Sequence, residues 1–339
     1  MGAPPPKPPT MASRWGLRPQ TPAEGSAPLD AEGSFLRSPL APALMSTALF
    51  AAGRDGTRIY LRHREGPSPV TAILSDGIAC DGFIWKYLQD DLARTVSVAH
   101  WNYRGHGRSA IPVDPTAIEL VEHAHDLDAV RRALDHDAPE GDRSVVLFGH
   151  SMGCQVALEA FRLRREKVRG VVLICGSSGR ITHTFKGSDV MAQLLPRFIE
   201  RIETYPEIAR ALWSRVPPEI ALQVALLTGE VDKSAIVPED LMPYMKHMVD
   251  LDPLMFLRML RSAGEHSAVD LLPQVDVPAL VIAGDHDSFT PPRYAEEMAA
   301  AMPQAELMMV QGGTHVVPLE RKELVAARVE KFLRERVGV

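Results

Sequence analysis

Val145-Val146-Leu147-Phe148-Gly149-His150-Ser151-Met152-Gly153-Cys154 is the stretch on which the reading of this chain turns. Val145 to Phe148 are consecutive apolar residues of β-favouring type, the pattern of a strand covered on both faces. From Gln155 to Arg165 the apolar positions recur at helical spacing, Val156 with Ala160 and Ala157 with Phe161. Strand and helix therefore meet within a few residues. So sharp a turn forces its central residue into a strained conformation and crowds the neighbours, which explains Gly149 and Gly153 on either side. Ser151 is lifted out of the backbone at a helix N-terminus, where free N–H groups and the helix dipole favour negative charge. G-x-S-x-G alone is a short string that also arises by chance. The strand-turn-helix setting makes Ser151 a candidate nucleophile.

The rest of the chain sets the frame for that turn. With 339 residues and 45% hydrophobic content it can bury a large core. A net charge of -6 offers no cationic surface for phosphates, so nucleic acid is not an expected partner. Three cysteines, Cys80, Cys154 and Cys175, are too few for a disulfide framework, and Cys154 and Cys175 fall in apolar segments. That usage suits a reducing compartment, and a cytoplasmic location is expected. No apolar run reaches the roughly eighteen residues of a membrane span, and the N-terminus lacks the basic-then-apolar layout of a signal peptide.

Residues 1–44 hold ten of the 28 prolines with Ala, Gly and Ser between them, a composition that reads as a disordered tail. Translation starts at Met11 or Met45 are consistent with this, since the sequence first looks globular at Met45. From Thr57, short apolar segments alternate with helical ones. The strand segments are Ile59 and Leu61, Val70–Leu74, Val96–Ala99, Val145–Phe148, Val171–Ile174, Ala279–Ala283 and Leu307–Val310, with helices expected over 84–94, 118–135 and 319–337. This alternation implies an α/β fold with a mostly parallel sheet of about eight strands, covered on both faces. Residues 179–272 show helical periodicity, no clear strand and many Met and Leu. A helical cap is expected there, inserted into a core of residues 45–178 and 273–339. Most of those methionines suit ordinary helix core, and a few suit an adaptable apolar pocket.

A serine hydroxyl needs a base to take its proton, and the base needs a third group to fix its tautomer. Imidazole titrates near neutrality, at about 6.5, so histidine suits the task. Of the twelve histidines, His315 falls on a loop directly after the last strand, and His286 lies after the preceding strand between Asp285 and Asp287. His106 sits in a glycine-rich loop and His150 in the elbow itself. Structural roles are expected of His63, His100, His123, His125, His136, His183, His247 and His266. The acid comes from the Asp285-His286-Asp287 turn, and the physics of the sequence leaves both carboxylates open.

These residues together resemble the α/β-hydrolase superfamily, specifically its capped serine hydrolases of the esterase, monoacylglycerol-lipase-like and epoxide-hydrolase-related group. The resemblance runs from about Thr57 to Val337. It rests on Gly149-His150-Ser151-Met152-Gly153, on Asn102-Tyr103-Arg104-Gly105-His106-Gly107-Arg108-Ser109, on Gly284-x-x-Asp287-x-x-x-Pro291 and on Gly313-x-His315, in the chain order Ser, Asp, His. It implies Ser151 as nucleophile, Asp287 as acid, His315 as base, and the backbone N–H groups of Ile78 and Met152 as the oxyanion hole. The expected activity is cleavage of a carboxylic ester or related acyl substrate of an apolar small molecule through an acyl-enzyme, without cofactor or metal. A C–C hydrolase, a thioesterase or a cofactor-free perhydrolase on the same triad is the alternative, and a non-catalytic binding protein the rival from another class.

Two departures stand out. The family commonly has His-Gly where this chain reads Asp76-Gly77, so a carboxylate is expected near the oxyanion hole, either weakening it or orienting a substrate hydroxyl. Cys154 follows the elbow inside the helix and reads as packing rather than chemistry. Gly105-x-Gly107-x-x-Ala110 with Asp126 imitates a dinucleotide-binding loop, but Pro112 and Pro115 keep it from opening into a helix. His123 and His125 are two apart on a helix and point away from each other, so they form no metal pair.

Overall fold

The computed structural model describes residues 46–136, 143–183, 189–227 and 231–339. The Pro-rich segment 1–44 and both candidate starts, Met11 and Met45, lie outside these residues. The strands are β1 (Ser46–Ala52), β2 (Arg58–Arg64), β3 (Thr71–Ser75), β4 (Ser97–Trp101), β5 (Val145–His150), β6 (Val168–Ile174), β7 (Ala279–Gly284) and β8 (Ala305–Val310). They form one sheet in the order β1-β2-β4-β3-β5-β6-β7-β8. β1 and β2 and β2 and β4 pair antiparallel, and all other neighbours are parallel.

Helices cover both faces. α1 (Leu88–Leu92), α2 (Leu120–His136) and α3 (Met152–Leu163) precede β6, and α9 (Pro292–Ala301), α10 (Val317–Glu320) and α11 (Lys322–Phe332) lie in the last part of the chain. Side chains of β5 alternate between two cores, as a strand's period of two requires. Val145 and Leu147 pack with Leu127 and Val130 of α2 and with Val156 of α3. Val146 and Phe148 pack with Leu88 of α1 and Val329 of α11. This is the doubly covered sheet that four apolar residues in a row imply.

Among the described residues between β6 and β7 there is no strand; the α-helices there are α4 (Val190–Thr204), α5 (Pro206–Trp213), α6 (Pro218–Leu227), α7 (Met242–Asp250) and α8 (Pro253–Glu265), with one isolated bridge, Gly179 to Ser267. α8 begins where the Asp252 carboxylate accepts from Leu254 and Met255 N–H and Pro253 occupies the first turn. Met245, Met255 and Met259 are buried in the main cores, so these three serve as packing.

Three local readings change. β1 was not among the expected strands, since only Ala51 of its seven residues is buried. The helix expected over 84–94 is a 3-10 turn, Phe83–Trp85, followed by the short α1. The closing helix is divided into α10, α11 and a π turn over Leu333–Val337.

Candidate active site

β5 ends at His150, and Ser151 adopts φ 56°, ψ -122°, a conformation costly for any residue with a side chain. Two contacts hold it there: the Ser151 N–H donates to Ile174 O of β6 at 3.0 Å, and Ser151 O accepts from Cys154 N at 3.0 Å. The flanking glycines are sterically required. A Cβ on Gly149 would lie 2.3 Å from Gly153 O, and one on Gly153 would lie 2.2 Å from Ser75 O. α3 starts at Met152, whose N–H has no carbonyl one turn behind it. The loop after β3 runs against this turn, since a Cβ on Gly77 would meet Ser151 Cβ at 3.1 Å and His150 Nδ1 at 3.3 Å. Ile78 follows on the same loop.

Asp287 follows β7 and His315 follows β8. The structure brings them together: His315 Nδ1 is 2.9 Å from Asp287 Oδ2 and 3.1 Å from Oδ1. Asp287 is buried and further held by N–H donors from Phe289 and Thr290 to Oδ1 and by the Thr290 hydroxyl to Oδ2 at 2.7 Å. Burial by itself would raise this carboxyl. The charge and hydrogen bond of His315 and the donors of Thr290 outweigh it and hold Asp287 below the ordinary carboxylate range. Asp285, the other carboxylate left open by the sequence, accepts the Gly312 N–H at 2.7 Å and caps the next loop. His286 is exposed.

The elbow and the His315 loop are tied directly. His150 Nε2 lies 2.9 Å from His315 O, which fixes Nε2 as the protonated nitrogen. His150 is buried against Trp85, and burial, with the neighbouring His315 charge, lowers its pKa to about 4. It is a neutral strap. His106 does not join Asp287 or His315; it is buried with Nδ1 3.1 Å from Arg104 O and faces the His247 ring at 5.6 Å. Burial lowers it to about 4 as well, with the His247 charge adding to the effect.

The Asp76 reading is corrected. Its carboxylate is buried and accepts from Trp85 Nε1 at 2.7 Å and Gly82 N at 3.0 Å, while His100 Nε2 lies 2.8 Å away. These three partners occupy the oxygens, so the side chain pins the loop from Asp76 to Gly82 instead of facing a substrate hydroxyl. Tyr103 Oη reinforces the loop by donating to Asp76 O at 2.6 Å. Cys154 Sγ points to Gly149 O at 3.3 Å, and burial pushes its thiol up to about 12, as befits packing.

Sequence reasoning missed Thr290 and Glu320. Glu320 is buried and accepts from Thr314 N at 2.9 Å, Thr314 Oγ1 at 2.7 Å and Asp232 N at 2.7 Å, so it sets the residue before His315. Five residues beyond His315 it reads as an ordinary first-turn acid. Thr290 carried a faint signal, as a hydroxyl three residues past the acid. Among the described residues no group of three or more His, Cys, Asp or Glu is placed to hold a metal, and no helix is long and apolar enough to cross a membrane.

A family model of the alpha/beta hydrolase family matches residues 74–328, most of the chain and every residue discussed above from Asp76 to Glu320. The chain belongs to the alpha/beta hydrolase family. An uncharacterized hydrolase of Bacillus subtilis is 24% identical over 284 residues, 83% of this chain and 96% of the relative. A polyketide synthase of Burkholderia thailandensis is 27% identical over 276 residues, 81% of this chain but 12% of the synthase. The chain thus spans half or less of the longer curated relatives it matches, 50% in a Mycobacterium tuberculosis relative. A thermophilic esterase from Thermogutta terrifontis superposes with a TM-score of 0.68 at 22% identity, covering 86% of this chain and 100% of the esterase. That likeness concerns the fold.

Proposed function

We propose that this alpha/beta hydrolase cleaves a carboxylic ester, or a related acyl substrate, of a small to medium apolar molecule. Ser151 is the nucleophile, His315 the base and Asp287 the acid. The observation that carries the reading is the pairing of His315 Nδ1 with a buried, ionised Asp287, on a loop strapped to the strained elbow. Such a pair holds Nδ1 protonated and leaves Nε2 free to take a proton. Ser151 Oγ attacks the carbonyl carbon, its proton passes to His315, and the oxyanion is held by the N–H groups of Met152 and Ile78. Collapse expels the alcohol, which takes the proton back from His315. Water then repeats the sequence on the acyl-enzyme and releases the acid.

The helices of residues 179–272 serve as a cap over this edge of the sheet, and their apolar side chains favour an apolar acyl or alcohol group. Neighbours of the same fold include the esterase named above and an enol-lactonase from Burkholderia xenovorans, both acting on ester-type bonds by their names. A panel of p-nitrophenyl esters of increasing chain length, with matching thioesters, tests the proposal. Turnover by wild type and none by Ser151→Ala is expected. Turnover retained by a folded Ser151→Ala variant contradicts it.

A further inference from the structure

A second polar site lies on the far side of the Asp76 hub. Arg62 and Arg64 alternate along β2 and so project from one face of the sheet. The register sets Arg62 opposite His100 and Arg64 opposite Val98, with Ser46 opposite Arg64 on the other side. α1 crosses this face, and a cavity of about 160 Å³ remains between them, lined by Arg62, Arg64, His100, Ser46, Gln89 and Asp90 among others. Two guanidiniums meet one carboxylate there. Arg62 donates to the neutral Gln89 at 2.8 Å and Arg64 Nη1 to Asp90 at 2.7 Å.

We propose that this cavity binds a small oxyanion, and that its occupancy is transmitted to the oxyanion loop through His100 and Asp76. An acceptor with several oxygens suits two guanidiniums that share one carboxylate in the cavity wall, since guanidinium forks pair with planar or tetrahedral oxyanions through parallel bonds. The volume limits the ligand to a few heavy atoms, well below the roughly 300 Å³ at which drug-sized pockets begin. His100 forms part of the wall and is almost wholly buried, with Nε2 committed to Asp76 at 2.8 Å and its ring against Gly82. An anion drawn toward this imidazole acts on the Asp76 carboxylate, and so on Trp85 and Gly82, the other groups Asp76 holds. The binding claim stands apart from the proposed ester chemistry.

The test is titration of the full chain with inorganic phosphate and, separately, with acetate, at constant ionic strength. Binding is followed by calorimetry and the Trp85 indole N–H by NMR, assigned with Trp85→Phe. Saturable binding of phosphate marks an external anion, and saturable binding of acetate marks the carboxylate class that ester hydrolysis would release. Arg62→Gln and Arg64→Gln are each expected to weaken binding about tenfold, as loss of a charge-assisted bond does. Asp90→Asn, at an exposed position, is expected to tighten it by freeing Arg64. The Trp85 signal is expected to move with the same saturation curve. Absence of saturable binding for both anions, or affinity indifferent to all three substitutions, overturns the site. Saturable binding with a static Trp85 signal overturns the link to the loop.

Discussion

Buried His150 is expected to cost the protein stability in mild acid. Its folded pKa of about 4 lies below the ordinary 6.5, so the unfolded chain takes up the proton first as the pH falls. Its contribution is therefore complete above about 6.5 and is lost between about 6.5 and about 4. At about 1.4 kcal/mol per pH unit, that interval amounts to about 3 kcal/mol. His106 has a similar interval, so a protein lacking His150 still keeps a slope. Asp287 does not contribute here, because a carboxyl held below 3.8 loses its stabilisation only as the pH falls past that value. The perturbation is His150→Gln, which keeps an amide donor for the His315 carbonyl but takes up no proton. Urea unfolding at about pH 7 and about pH 4 gives the free energies, and the comparison is each protein's loss between the two. The variant is expected to lose about 3 kcal/mol less than the wild type. Equal losses would refute the claim that His150 is buried neutral.

Other outcomes follow from the same geometry. Asp287→Asn is expected to lower kcat by about 10⁴ with the fold intact, as the imidazole loses its tautomer control; circular dichroism and ester kinetics check both halves. Gly153→Ala places a Cβ 2.2 Å from Ser75 O, a backbone contact that cannot yield, so little soluble protein and a sharply lowered Tm are expected. Cys154→Ala is expected to keep near wild-type turnover. In the native wild type, a thiol pushed up to about 12 should resist alkylation by iodoacetamide at pH 8, as mass spectrometry would show.

The parts of the fold legible in the sequence are those whose information is local. The run Val145–Phe148 announced a doubly covered strand because burial on both faces demands unbroken apolar residues. Ser151 was legible because the turn that exposes it requires glycines at fixed positions. β1 escaped because an edge strand with mostly exposed residues has no apolar pattern to show. The choice between Asp285 and Asp287 was closed only by tertiary contacts, the Gly312 N–H for one and His315 for the other. The role of Asp76 stays open in the sequence for the same reason, as two of its partners, Trp85 and His100, come from separate elements 9 and 24 residues away. His150 acts through a backbone carbonyl 165 residues away, and Glu320 joins the nearby Thr314 to the N–H of Asp232, 88 residues before it, links that no spacing in the sequence encodes.

The central claim is that Ser151 is an activated nucleophile, dependent on His315 and Asp287. The most direct measurement is labelling of the folded protein with a fluorophosphonate probe, located by peptide mass spectrometry in wild type, Ser151→Ala and His315→Gln. One adduct per chain, on Ser151, lost in the first variant and strongly slowed in the second, is the result expected. An unlabelled wild type, or an adduct on another residue, would contradict the account.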